Sequence, residues 1–80
     1  MATSGTPTAG RSVELKAQIN GDPREIGAGT TILSLVRSLG LEPGWVVVEH
    51  NLQALDRDVW ERTPVGEGDQ IEIVRFMGGG

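Results

Sequence analysis

Eighty residues suffice for one domain, and a body of that size buries only about 60% of its unfolded surface, which leaves little room for an enclosed catalytic cavity. With 38% hydrophobic and 22% charged residues the composition is that of a soluble globular protein, and no apolar run approaches the roughly 20 residues of a membrane-spanning helix. Seven Lys and Arg against eleven Asp and Glu give a formal charge of −4, which argues against nucleic acid as a direct partner.

Cysteine is absent, so there is no disulfide framework, thiol nucleophile or thiolate metal site. The N-terminus lacks the basic-then-apolar pattern of a secretory signal. Both observations fit a cytoplasmic protein. Residues 1–12 are rich in Thr, Ser, Gly, Pro and Ala and read as a disordered leader, because they offer too little apolar surface to offset the entropy of ordering. The folded domain is expected over 13–76, with 77–80 as a flexible C-terminal tail.

Val13, Leu15, Ala17 and Ile19 alternate with Glu14, Lys16, Gln18 and Asn20, the period of a half-buried strand. Asn20-Gly21 accepts positive φ and predicts a hairpin turn into a short return strand around Pro23 to Ile26. Thr30 or Thr31 is the N-cap of a helix whose apolar stripe is Ile32, Leu35, Val36 and Leu39, at i, i+3, i+4 and i+7. Gly40 suits the left-handed C′ position, Leu41 folds back onto the last turn, and Pro43 stops the helix.

Trp45 to Val48 is a continuous apolar run and predicts a central strand extending toward His50. Asn51 to Trp60 is irregular, and Thr63 to Asp69 is turn-rich. Gln70 to Phe76 predicts the last strand, with Ile71 and Ile73 on one face and Val74 and Phe76 on the other. The pattern is α+β: one main amphipathic helix packed on a mixed, mostly antiparallel sheet of four to five strands.

Phe76-Met77-Gly78-Gly79-Gly80 places three glycines at the end of a strand. A frayed terminus is one reading. The other is a functional tail: glycine has no Cβ and passes a narrow channel, and five extended residues reach roughly 17 Å. An α-carboxyl with a pKa of about 3.3–3.7 is an ionised oxygen nucleophile at neutral pH. Val74, Phe76 and Met77 are candidates for an apolar docking patch beside the tail, although Phe76 reads equally well as closing the bottom of the core. His50 is the one histidine, and Glu49, Asp56 and Asp58 near it lack a metal-ligand spacing, so no metal site is expected. Gly66-Glu67-Gly68 lacks the Lys and Ser/Thr of a phosphate-binding loop and reads as a turn.

From Ile19 to Gly80 the chain resembles the ThiS family, the sulfur carriers of thiamine biosynthesis. The resemblance rests on the Asn20-Gly21 hairpin, Gly29-Thr30-Thr31 opening the helix, Arg57-x-x-Trp60, and Gly68-Asp69-Gln70-Ile71-Glu72-Ile73 followed by the Gly-Gly end. Leu52 departs from it, because the family often has Gly after the asparagine corresponding to Asn51.

The resemblance implies a ubiquitin-like β-grasp fold and a non-enzymatic carrier. It implies that an E1-like adenylating enzyme of the ThiF type consumes ATP to activate the Gly80 carboxylate. A sulfur donor protein then converts it to a thiocarboxylate, and a thiazole synthase of the ThiG type receives the sulfur. Gly78 and Gly79 would provide passage into the partner, and no cofactor would be bound. Related carriers share the fold and the diglycine end, so the small subunit of molybdopterin synthase, a carrier for transfer RNA thiolation and a ubiquitin-like modifier are alternatives.

Overall fold

Alternation in the first segment is realised as β1 (Glu14–Ile19), which buries Ala17 and Ile19 and exposes Lys16 and Gln18. The computed structural model describes residues 13–76; the expected leader, 1–12, and the expected tail, 77–80, lie outside the described residues. Val13 precedes the strand and is exposed, but its carbonyl accepts a hydrogen bond from the Ala28 amide at 2.6 Å. Asn20 and Gly21 have φ of 52° and 86° and turn the chain into antiparallel β2 (Asp22–Gly27). Positive φ at both central residues is the signature of the tight hairpin turn whose twist matches its strands. β2 is longer than its sequence promised, and Pro23 lies within it opposite Gln18. An edge strand tolerates a residue that cannot donate to a ladder, and β2 is an edge.

The helix, α1 (Ile32–Ser38), begins at Thr31 rather than Thr30. Thr31 Oγ1 accepts from the Ser34 amide at 3.2 Å, while the Thr31 amide donates to Ser34 Oγ at 2.9 Å. This reciprocal box satisfies two amides that the first turn leaves free. At the other end Gly40 has φ of 78°, its amide donates to the Arg37 carbonyl, and the Leu41 amide reaches back to the Val36 carbonyl. These bonds form a Schellman motif, and they bring Leu41 against the core as expected. A seven-residue helix is too short to persist alone. It persists because Ile32, Leu35 and Val36 are buried against the sheet.

The apolar run Trp45–Val48 differs from the continuous central strand predicted. Pro43–Trp45 forms a 3₁₀ turn, and β3 (Val46–His50) starts one residue later. Val46 and Val48 are buried while Val47 is 51% exposed. The helix covers only one face of the sheet, so an apolar run is divided between core and surface. A second tight turn, Asn51-Leu52 with φ of 52° and 74°, leads into β4 (Gln53–Ala54), with His50 opposite Gln53. A 3₁₀ helix, Arg57–Arg62, then carries Trp60 into the core, where its indole Nε1 donates to the Leu55 carbonyl at 3.1 Å. Arg57 stacks over the Trp60 ring, its guanidinium carbon 5.7 Å from the ring centroid.

β5 (Gln70–Arg75) completes a five-stranded sheet in the order β2-β1-β5-β3-β4. It pairs parallel with β1 and antiparallel with β3, so the mixed sheet and single helix expected from the pattern are present. The core lies between α1 and the inner face, built from Ala17, Ile19, Ile26, Val46, Val48, Ile71 and Ile73 and closed by Trp60 and Val65.

Leu52 stands in the left-handed region with its side chain 80% exposed. Its Cβ conflicts with the backbone there, at a cost of about 1–2 kcal/mol, and burial returns nothing at this position. Leu52→Gly should therefore raise the unfolding free energy by about 1 kcal/mol. Urea denaturation checks this; an unchanged or lower midpoint at constant slope counts against a strained turn.

Candidate functional site

β5 is the element that delivers the chain to its last residues. Ile71 and Ile73 face the core; Val74 and Phe76 follow the opposite parity and are 55% and 38% exposed. The Phe76 amide donates to the Trp45 carbonyl at 3.0 Å, one step beyond the β3–β5 ladder, so the last described residue is still hydrogen-bonded to the neighbouring segment. Of the three docking candidates, Val74 and Phe76 share the outer face, while Met77 lies outside the described residues, as do Gly78, Gly79 and Gly80. Phe76 is not part of the core, so it does not close the bottom of it. Val47, which the sequence did not single out, lies directly opposite Val74 and adds to the exposed strip. Beside the strip, Trp45 is 49% exposed and lines a groove of about 360 Å³ with Leu41, Glu42 and Arg75.

Two asparagines fix β5 from its two sides. β1 turns away after Ile19, and the Asn20 side chain supplies the next ladder step. Its Oδ1 accepts from the Ile73 amide at 2.7 Å, and its Nδ2 donates to the Ile73 carbonyl at 3.3 Å. On the β3 side the Asn51 amide donates to the Gln70 carbonyl at 2.7 Å, and Asn51 Oδ1 accepts from the Gln70 amide at 2.9 Å. Asparagine tolerates positive φ and carries an amide of its own, so one residue both turns the chain and pairs with a neighbouring strand.

Asp69, immediately before β5, holds the strand's entry. Its Oδ2 accepts from the Gly66 amide at 2.7 Å and lies 2.7 Å from His50 Nε2, while Oδ1 accepts from Asn51 Nδ2 at 3.1 Å. Burial works to raise the Asp69 pKa, but hydrogen bonds from His50, Gly66 and Asn51, together with the His50 charge, hold it below the ordinary value of 3.8. His50 is thus engaged by Asp69 and not by Glu49, Asp56 or Asp58. Among the described residues no group of three His, Cys, Asp or Glu is placed to hold a metal ion.

The sequence reading missed the roles of Asn20, Asn51 and Asp69 in clamping β5. The available signal was the lone histidine directly before Asn51, together with an aspartate closing the Gly66–Gly68 turn; a histidine beside an Asx residue needs a polar partner if it enters a sheet.

Because the folded Asp69 pKa is depressed, its contribution to stability is complete above about 3.8 and is lost as pH falls through the lower folded value. Asp69→Asn should lower the melting temperature at pH 7 and flatten the loss of stability below about pH 4. Thermal melts from pH 7 to pH 2 test this; equal pH dependence in both proteins would remove Asp69 from its assigned place.

Comparison with known proteins gives a consistent result. The model of the ThiS family matches residues 17–80. The crystal structure of a thiamine biosynthesis protein, ThiS, from Geobacter metallireducens superposes with a TM-score of 0.69 at 30% identity, covering 82% of this chain and 100% of that one. An NMR structure of a thiamine biosynthesis protein from the same organism gives 0.67 at 30% identity, covering 82% and 88%. Thiazole synthases from Magnetococcus marinus and Paramagnetospirillum magneticum are 41% and 38% identical over 66 residues, covering 82% of this chain. The chain spans 20% of the length of those curated relatives. With a family match over most of its length and a β-grasp sheet that superposes on a ThiS structure, this chain belongs to the ThiS family.

Proposed function

We propose that this chain carries sulfur as a thiocarboxylate on Gly80 and delivers it to a thiazole synthase in thiamine biosynthesis. The observation that supports this best is the ThiS family match, which extends to residue 80 and includes Gly78-Gly79-Gly80. The hydrogen bond of the Phe76 amide carries the pairing beyond β5 to a residue four before Gly80, which supports this reading.

An ionised carboxylate resists attack by sulfur, because its carbonyl carbon is electron-rich and oxide is a very poor leaving group. Activation belongs to an adenylating enzyme of the ThiF type. A Gly80 carboxylate oxygen attacks the α-phosphorus of ATP, pyrophosphate leaves, and an acyl-adenylate forms. The outer sulfur of a persulfide on a donor protein attacks the acyl carbon and AMP departs, leaving an acyl disulfide. A second thiol then attacks the donor's sulfur, the S–S bond breaks, and the thiocarboxylate is released as a new protein disulfide forms. The partner holds ATP, so the carrier supplies no cofactor and no general acid or base, and is not itself an enzyme. Gly78 and Gly79 add no side chain to the segment that must enter the partner's site. The name of the relatives that share this domain, thiazole synthase, motivates a ThiG-type acceptor, and the reducing, ATP-containing cytoplasm is the compartment the chemistry suits.

Incubation with the adenylating enzyme, ATP and a sulfur donor should raise the intact mass by the difference between sulfur and oxygen. Deletion of Gly79-Gly80 should abolish the increase and leave the thermal melt unchanged. An unmodified mass with a competent partner, or modification surviving the deletion, overturns the assignment.

A further inference from the structure

We propose that Asn20 is a site of spontaneous deamidation held in check by its own bonds to Ile73, and that its conversion to aspartate or isoaspartate frees the C-terminal half of β5. The chain has two asparagines, Asn20 and Asn51, and the fold uses them alike. Both have φ of 52°, both turn a hairpin, and both bond β5 through the side-chain amide. They differ in the residue that follows: Gly21 after Asn20, Leu52 after Asn51. An asparagine side-chain carbonyl is open to attack by the backbone nitrogen of the next residue, and a side chain on that residue obstructs the approach. Gly21 offers no such obstruction, and no atom beyond its chain neighbours lies within 4 Å of where a Cβ would stand. Asn20 and Gly21 are both exposed, so water and hydroxide reach them.

The step balances without an oxidant or reductant. A base removes the Gly21 amide proton, the nitrogen attacks Asn20 Cγ, the Cγ–Nδ2 bond breaks, and ammonia leaves after taking a proton from water. The succinimide then adds water at one of its two carbonyl carbons, and ring opening gives aspartate or isoaspartate. Folding restrains this step. Asn20 Oδ1 accepts from the Ile73 amide at 2.7 Å, Nδ2 donates to the Ile73 carbonyl at 3.3 Å, and the Asn20 amide donates to the Ile71 carbonyl at 2.8 Å. Turning Cγ onto the Gly21 nitrogen breaks both side-chain bonds, so attack waits for a local opening of the turn.

The same bonds define what conversion does. The β1–β5 ladder pairs Gln18 with Gln70 and Ile19 with Ile71, and Asn20 alone extends it to Ile73. An aspartate there lacks the Nδ2 donor and sets a carboxylate oxygen against the Ile73 carbonyl, acceptor against acceptor. Isoaspartate instead adds a backbone carbon to a two-residue turn whose twist matches its strands. Either product leaves Ile73 to Arg75 held from the β3 side only.

The full chain is incubated at one mildly alkaline pH, folded and in guanidinium chloride. Deamidation at each asparagine is followed by peptide mass mapping, with isoaspartate counted by methyl transfer from an isoaspartyl methyltransferase. In denaturant Asn20 should convert at least about tenfold faster than Asn51, and Leu52→Gly should bring Asn51 to the rate of Asn20. In the folded chain Asn20 should convert at least about tenfold more slowly than in denaturant. Asn20→Asp should raise hydrogen exchange of the Ile73 amide at least about tenfold; should it not fold, exchange is read on wild-type chain aged to partial conversion. Equal rates at the two asparagines in denaturant overturn the site, and equal rates at Asn20 in the folded and denatured chains overturn the restraint. Unchanged exchange at Ile73 overturns the release of β5.

Discussion

The pairing of β5 on both of its sides is the constraint on which the rest of the molecule depends. It is the middle strand of the sheet, parallel to β1 and antiparallel to β3, and among the described residues it is also the last element. Its inner residues, Ile71 and Ile73, are part of the core, while its outer residues form the exposed strip. A shift of one residue in its register would exchange those faces, placing Glu72 in the core and Ile73 in solvent. The clamps from Asn20, Asn51 and Asp69 therefore fix which side chains the domain shows beside its C-terminal end.

These clamps explain why turn residues carry so much of the architecture. A small domain has few apolar side chains with which to fix a central strand. Asn20 and Asn51 each serve a hairpin turn through backbone conformation and β5 through the side chain, so local and long-range order rest on the same residues. Asp69 joins three segments through one carboxylate: the turn at Gly66, the end of β3 at His50, and the β3–β4 turn at Asn51. The desolvation cost of that carboxylate is offset by several donors, as a partly buried acid requires.

The sequence disclosed what depends on periodicity and on glycine. Alternation located β1 and β5, the helical stripe located α1, and Gly40 marked its end, because each of these is a local pattern with a local physical cause. It did not disclose where the Trp45–Val48 run divides between core and surface, since an unbroken apolar run has no period to read. Nor did it show the bond between His50 and Asp69, which are nineteen residues apart and meet only because β3 and β5 are neighbours. Val74 and Phe76 were legible as candidates through their parity, but Val47 became their companion only through the cross-strand register.

The division of labour between the two faces follows from this arrangement. The inner face is satisfied within the chain: its apolar residues are buried, and among the described residues no buried side-chain polar atom lacks a partner. The outer face at β3 and β5 is not satisfied in the same way, because it exposes Val47, Val74 and Phe76 beside two facing glutamates. Isolated apolar residues on a surface need no explanation, but a contiguous strip bordered by like charges runs against both burial and electrostatics. A domain whose polar side chains are otherwise bonded with economy, down to the reciprocal cap at Thr31 and Ser34, has its clearest unmet interactions at the root of its C-terminal segment.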